Sequence, residues 1–115
     1  MCGLRNREVK VILMKTIKKM QREVEEFCKK NEWNAKTEYC VLDLASEVGE
    51  LAKELILASD YGLKEPEFGA NTELELGDCL FSLILVANSL NIDLEKALEK
   101  ALAKYEERIK NQKKD

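Results

Sequence analysis

Two pairs of carboxylates stand out in the sequence because each pair has the spacing of one helical turn. Glu47 and Glu50 lie in the segment "ASEVGELAKEL", and Glu75 and Asp78 lie at the start of "ELELGDCLFSLILVANSL". Residues three apart share one face of a helix, with about 5–6 Å between their Cβ atoms. Carboxylates that close raise one another's pKa values unless a cation neutralises them. Two such pairs on facing helices therefore indicate a shared cation site.

The ligand types in this set restrict which metal would fit. Sites made only of oxygen ligands suit Mg²⁺ or Mn²⁺, and Mg²⁺ usually binds a few carboxylates together with water and substrate phosphates. The chain has no histidine, and di-iron carboxylate bundles use Glu-x-x-His motifs, so that alternative is rejected. Four cysteines at positions 2, 28, 40 and 79 form no CxxC pair, which disfavours zinc. Solvent-exposed Glu pairs that hold no metal are common on helices, and that interpretation stays open.

Apolar periodicity predicts four helices that would position these carboxylates. We expect the helices over residues 6–30, 38–59, 73–90 and 93–111. Thr37 and Asp93 are expected to cap the second and fourth helices. Thr72 and Glu75 match a capping box for the third. The only Pro and two of the five Gly lie in residues 60–72, which predicts a loop.

The length and the short links predict a single domain over residues 1–115 with an antiparallel arrangement. Links at 31–37 and 91–93 favour antiparallel neighbours, and hence an all-α, antiparallel four-helix bundle. The third helix is apolar nearly all the way round between Leu80 and Ala87. Three amphipathic partners cannot cover such a helix in a small monomer. We therefore expect an oligomer, either a dimer or a tetramer.

The distribution of charge and the lengths of the apolar runs predict which partners the protein binds and where in the cell it is found. Residues 1–31 carry a net charge of +5 and residues 38–99 a net charge of −11. The basic first helix also contains several Glu and has no aromatic platform, which disfavours nucleic-acid binding. No apolar run reaches the roughly 18 residues of a membrane span, and the N-terminus lacks a secretory signal. Together with the expectation of free cysteines, this predicts a protein of the reducing cytoplasm that binds no membrane.

Three segments carry a resemblance to a known family: "SEVGELAKEL", "ELGDCLFSL" and "ALEKALAKYEERI". Over residues 38–109 the chain resembles the MazG-type nucleotide pyrophosphohydrolases and the related all-α dCTP/dUTP pyrophosphatases. Their pattern is Glu-Glu-x-x-Glu, a variable gap, and Glu-x-x-Asp. Ser46 stands here for the first Glu, and Ser82 occupies a position that is often Tyr, which leaves the base preference open. The resemblance implies the following Mg²⁺ ligands: Glu47, Glu50, Glu75 and Asp78.

The same resemblance implies hydrolysis of a (deoxy)nucleoside triphosphate to the monophosphate and pyrophosphate, as a house-cleaning activity on the nucleotide pool. Mg²⁺ would be the cofactor, with Mn²⁺ as a possible substitute. Either Glu47 or Glu50 would orient or deprotonate the attacking water. Lys104 and Arg108 match basic positions that contact substrate phosphates in the family. The alternative is a non-catalytic helical module that binds metal or another protein on the same fold.

Three further residues have a substrate-binding and a structural interpretation. Trp33, the only Trp, would stack on a base or pack in the core. Lys53 would meet a phosphate or form an ion pair within its own helix. Asn88 would reach a base or sugar, or hydrogen-bond across the bundle. Without the resemblance, Lys104 and Arg108 would be partners of surface acids.

Overall fold

The computed structural model describes residues 15–113, which contain four α-helices and no strand. The helices are α1 (Ile17–Lys30), α2 (Thr37–Ala58), α3 (Ala70–Ser89) and α4 (Leu94–Lys113). The predicted all-α class with four helices is confirmed. Residues 6–14 of the first predicted helix lie outside the described residues. The single domain over residues 1–115 stays a prediction.

Side-chain caps set the starts of α1 and α4. Thr16 Oγ1 accepts a hydrogen bond from the backbone N–H of Lys19 at 3.2 Å. Asp93 Oδ1 accepts from the backbone N–H groups of Glu95 and Lys96 at 2.9 and 3.4 Å, as the sequence predicts. Thr37 is instead the first residue of α2, with Lys36 in the cap position.

The predicted start of α3 at residue 73 is wrong. The helix begins at Ala70, with Gly69 at the cap and no side-chain capping bond. Thr72 Oγ1 is buried without a hydrogen-bond partner among the described residues. Glu75 lies close to carboxylates of α2 and α3 instead of closing a capping box. Packing against α2 therefore outweighs the local capping signal.

The core of the fold is an antiparallel hairpin of α2 and α3. At one end Thr37 Oγ1 donates to Ser89 Oγ at 3.0 Å, and further along Ser82 Oγ donates to Asp43 Oδ2 at 2.7 Å. The buried side chains of the described residues belong to these two helices: Cys40, Ser82, Ile84 and Ala87. The hairpin is thus the rigid frame on which the carboxylates are carried.

Helix α1 packs across α3 through one polar and one aromatic contact. Gln21 Nε2 donates to Asn88 Oδ1 at 3.1 Å, and Asn88 Nδ2 donates to the backbone carbonyl of Gln21 at 3.0 Å. The rings of Phe27 and Phe81 meet edge to face with centroids 6.0 Å apart. These contacts fix α1 against the side of α3 that carries Phe81 and Asn88.

Helix α4 leaves the hairpin, because the chain bends by 102° between α3 and α4. Asn91 in the turn has a left-handed backbone with φ of 56°. Gln21 holds the bend: its Oε1 accepts from Leu94 N at 3.0 Å, and its Nε2 donates to Ile92 O at 2.8 Å. The short link therefore does not make α4 an antiparallel neighbour of α3. About half of each apolar side chain in a stripe along α4 is exposed: Leu98, Leu102, Tyr105 and Ile109.

None of the described helices is by itself long and apolar enough to cross a membrane. Among the described residues, only α3 and α4 together, counted across their bend, have the length and apolar composition of a membrane span.

Candidate functional site

Three of the four predicted ligands converge between α2 and α3. Glu47, Glu75 and Asp78 each offer a carboxylate oxygen, and these oxygens lie within 4.8 Å of one another. All three residues are partly buried. Three hard oxygen donors around one point match the chemistry of Mg²⁺ or Mn²⁺, which take carboxylates and complete their shell with water. The side chains present therefore fit a divalent cation.

The antiparallel register of the hairpin explains this convergence. Facing residues have numbers that sum to 125 or 126, as in Thr37 with Ser89 and Asp43 with Ser82. The same register puts Glu47 opposite Asp78, and Glu75 one turn before Asp78 on the same face. Each carboxylate therefore reaches the group from its own helix without a loop.

Glu50 lies at the edge of this group and not inside it. It is exposed and is not among the carboxylates whose oxygens lie within 4.8 Å of one another. By the register it faces Glu75, and its negative charge still acts on Glu47. Glu50 is therefore placed to contact a molecule bound on the solvent side of the three closer carboxylates.

The electrostatics of the group favour a bound cation. Partial burial raises the pKa of Glu47 above its ordinary value of 4.5, and the charges of Asp78, Asp43, Glu75 and Glu50 raise it further. Partial burial also raises the pKa of the Cys79 thiol, and the neighbouring carboxylates add to the rise. Cys79 therefore stays a neutral thiol and the available ligands are carboxylates.

Asp43 and Ser82 form a contact beside the carboxylate group that the sequence interpretation missed. Ser82 is 1% exposed, and its hydroxyl donates to Asp43. Asp43 precedes Glu47 by four residues, and Ser82 follows Asp78 by four. The Asp43–Ser82 pair therefore lies one helical turn along the hairpin from the candidate metal ligands. The i, i+4 spacing of Asp43 and Glu47 was the available signal.

Trp33 and Asn88 line the same cavity, of about 870 Å³, between the end of α1, the link to α2 and the end of α3. The Trp33 ring meets Phe27 and Phe81 edge to face, with centroid distances of 5.2 and 6.4 Å, yet it is 57% exposed. Both ends of the Asn88 amide are engaged by Gln21. Trp33 thus keeps an accessible ring, whereas Asn88 ties α3 to α1.

This cavity lies next to the carboxylates along α3. Phe81, which contacts Trp33, follows Asp78 by three residues. Leu85 on the cavity wall is seven residues from Asp78, which corresponds to about 10 Å along a helix. One molecule of nucleotide size can therefore span the carboxylates and the aromatic cavity.

Of the predicted basic residues, Lys53 lies on a helix that carries the carboxylates, whereas Lys104 and Arg108 lie on α4. Lys53 is exposed on α2, one turn beyond Glu50. Lys104 Nζ and the Arg108 guanidinium lie over the Tyr105 ring, 4.7 and 5.6 Å from its centroid. With a rise of 1.5 Å per residue and the 102° bend, the Cα atoms of Lys104 and Arg108 are roughly 20 and roughly 25 Å from that of Asp78.

Comparison with known families and sequences identifies relatives of this chain. Residues 35–112, more than half of the chain, match the MazG nucleotide pyrophosphohydrolase domain. The uncharacterized protein YpjD of Bacillus subtilis is 41% identical over 71 residues, which are 59% of this chain and 62% of YpjD. The nucleoside triphosphate pyrophosphohydrolase/pyrophosphatase MazG of Thermotoga maritima is 46% identical over 48 residues, or 42% of this chain and 19% of that protein. The chain thus matches less than two thirds of the length of either relative.

Two solved structures share the fold. The crystal structure of the Bacillus-conserved MazG protein, a nucleotide pyrophosphohydrolase, superimposes with a TM-score of 0.68 at 39% identity, and covers 80% of this chain and 90% of that one. That of YpjD from Bacillus subtilis gives a TM-score of 0.68 at 34% identity, and covers 81% and 95%. The predicted MazG-like fold is confirmed, and the chain belongs to the MazG nucleotide pyrophosphohydrolase family.

Proposed function

We propose that the protein is a divalent-metal-dependent pyrophosphohydrolase that converts a (deoxy)nucleoside triphosphate to the monophosphate and pyrophosphate. The observation that carries the proposal is the group of Glu47, Glu75 and Asp78 oxygens within 4.8 Å of one another. A polyphosphate is an anion, so a carboxylate-lined site accepts it only with a bridging cation. Family membership supports the reaction class.

In this mechanism Glu47, Glu75 and Asp78 would hold Mg²⁺, and Glu50 lies beside them on the solvent side. A divalent cation held by these residues would neutralise phosphate charge and lower the pKa of a water molecule. Glu50 accepts the proton of the water that attacks the α-phosphorus, because its carboxylate is exposed and outside the closest group. The bond from the α-phosphorus to the bridging oxygen then breaks, and pyrophosphate leaves.

The aromatic cavity accommodates the nucleoside. The exposed face of Trp33 offers a stacking surface for a base, and the Trp33 ring contacts Phe81, which lies about one helical turn from Asp78. Asn88 keeps the wall in place through its two hydrogen bonds to Gln21, and its amide keeps a second N–H donor for a base or sugar. Lys53 is the basic residue of α2 closest in sequence to Glu50, and contacts the outer phosphates.

We further propose that the protein works as a homo-oligomer, a dimer or a tetramer, assembled through an apolar face of the hairpin. The face consists of side chains that are between 41 and 53% exposed: Val41, Val48, Leu55, Leu76, Leu80 and Leu83. With 3.6 residues per turn, they lie between roughly a quarter and nearly half a turn round each helix from the carboxylates. An approximate two-fold axis relates antiparallel helices, so both stripes lie on the same side. Monomers rarely expose a contiguous apolar patch of this kind.

Oligomerisation also gives Lys104 and Arg108 a route to the substrate. Their distance from the carboxylates of their own chain exceeds the reach of one side chain, whereas α4 extends away from the hairpin with its apolar stripe uncovered. A second copy that covers this stripe brings its carboxylates to these cations. The phosphate contacts are therefore assigned to the α4 helix of a neighbouring copy.

A cytoplasmic location fits the same proposal. The three cysteines of the described residues are free thiols: Cys28, Cys40 and Cys79. Unpaired thiols of this kind are typical of a reducing compartment, where nucleotide substrates are found.

The direct test measures pyrophosphate release from a panel of ribo- and deoxyribonucleoside triphosphates with and without Mg²⁺. Wild type should release pyrophosphate only with the metal, and Asp78→Asn should reduce the rate at least about 10²-fold because a ligand charge is lost. Glu38→Gln, which neutralises an exposed carboxylate in the first turn of α2, is the matched control. Absence of release by wild type from every triphosphate would refute the enzyme. Metal binding without release would favour the non-catalytic module instead.

A further inference from the structure

Ser82 is the one buried polar side chain among the described residues, and it hydrogen-bonds to Asp43 across the hairpin. Ser82 is 1% exposed, and its Oγ lies 2.7 Å from Asp43 Oδ2 although the two residues are 39 apart in sequence. Asp43 itself is exposed, so its other carboxylate oxygen remains solvated. The contact thus joins a fixed donor on α3 to an acceptor on α2 at one defined point.

The position of this contact matters because Thr37 and Ser89, which also hydrogen-bond across the hairpin, are held only at its exposed end, and the apolar side chains between the helices permit sliding. Apolar side chains pack without a fixed direction, whereas a buried hydroxyl must find one acceptor or lose its hydrogen bond. Single buried polar pairs are known to fix the register of helix pairs for this reason. Asp43 with Ser82 lies four residues from Glu47 with Asp78, in the same register.

A small displacement would open the carboxylate group. The oxygens of Glu47, Glu75 and Asp78 lie within 4.8 Å of one another only because one comes from α2 and two come from α3. If α2 slid by one residue, Glu47 would move about 1.5 Å along the helix and turn by about 100°. Holding the helices in register is therefore a condition for binding one cation between them.

We propose that Asp43 and Ser82 are positioning residues that set the register of α2 on α3, and thereby hold Glu47 opposite Asp78 for metal binding. The inference rests on the proposed cation site. It assigns the effect to the hydrogen bond between the two side chains and not to the charge of Asp43 as a further ligand.

The test is Mn²⁺ binding to the purified protein, followed by the electron paramagnetic resonance signal of free Mn²⁺, with no nucleotide present. Ser82→Ala removes the hydrogen-bond donor and Asp43→Ala removes the acceptor. Each variant should bind Mn²⁺ about 10- to 100-fold more weakly, which is the typical effect of losing a residue that orients metal ligands without binding the metal. Asp43→Asn keeps an acceptor oxygen without the charge, so its Mn²⁺ Kd should stay within about threefold of wild type. The double variant Asp43→Ala/Ser82→Ala should bind no more weakly than either single variant.

Matched controls separate positioning from a general loss of stability. Glu38→Ala removes an exposed carboxylate from the first turn of α2, away from the group of Glu47, Glu75 and Asp78, and should leave the Mn²⁺ Kd unchanged. Helical circular dichroism checks that each variant is folded, and Asp43, being exposed, can be replaced even where Ser82 cannot. Unchanged binding by Ser82→Ala and Asp43→Ala, or an Asp43→Asn variant as weak as Asp43→Ala, would overturn the inference alone. A wild type that binds no Mn²⁺ would overturn both this inference and the proposed metal site.

Discussion

Lys104 and Arg108 allow a sharp test of the active oligomer, because they lie on the helix that leaves the hairpin. One variant chain carries Lys104→Ala and Arg108→Ala and lacks the cations. The other carries Glu47→Gln and Asp78→Asn and lacks two of the metal ligands. Each variant alone should lose at least about 10²-fold in pyrophosphate release, since either half of the electrostatic stabilisation is missing.

The expected result for a mixed oligomer follows from the geometry. The helical rise of 1.5 Å per residue and the 102° bend between α3 and α4 place the Cα atom of Lys104 roughly 20 Å, and that of Arg108 roughly 25 Å, from the Cα atom of Asp78 in the same chain. If a neighbouring copy supplies the cations, a mixed pair has one complete site and one site that lacks both parts. Two-fold pairing then predicts about half of the wild-type activity per pair.

The assay uses two differently tagged variants, co-expressed and purified through both tags so that only mixed oligomers remain. Activity restored to about half of wild type would support completion of the site by the partner. Mixed oligomers as inactive as either parent, beside an active wild type, would refute it. Lys110→Ala with Lys113→Ala, a second pair of exposed cations on α4, is the matched control and should retain activity.

Three other predictions concern stability, assembly and substrate binding. Because Glu47 has a raised pKa when folded, its contribution to the stability of the metal-free protein is full below about pH 4.5 and is lost as pH rises through the raised value. Thermal unfolding followed over that range should show a smaller pH-dependent loss in Glu47→Gln or with Mg²⁺ than in the metal-free wild type, and an equal loss would contradict the assignment. Leu80→Glu should lower the sedimentation coefficient because it dissociates the oligomer. Leu63→Glu, at a loop position that is 82% exposed, is the control and should leave the sedimentation coefficient unchanged. The same sedimentation coefficient for both variants would argue against the proposed face. Trp33→Ala should raise KM about 5- to 160-fold with little change in kcat if the ring stacks on the base, from about 1–3 kcal/mol per stacked base. Tyr61→Ala, which removes another exposed aromatic ring, is the control, and an unchanged KM for Trp33→Ala would remove Trp33 from the site.

The sequence by itself determined those features that depend on neighbouring residues. The four helices follow from apolar periodicity, and the Asp93 cap follows from side-chain chemistry within three residues. The i, i+3 spacings place Glu47 with Glu50, and Glu75 with Asp78, on single helix faces. The family motif added the expectation that these faces meet, and the MazG fold was predicted on that basis.

Tertiary structure decided what depends on how the helices are rotated and where they cross. Only the packed hairpin brings Glu47, Glu75 and Asp78 together and leaves Glu50 at the edge, because that requires a definite register between segments far apart in sequence. The Asp43–Ser82 contact spans 39 residues, and the Gln21–Leu94 contact that holds α4 at its 102° bend spans 73. Local periodicity specifies which face of a helix is apolar, but not which neighbour covers it. Which neighbour covers an apolar face is determined by the packing of the whole chain. The same packing explains why α3 begins at Ala70 and not at residue 73.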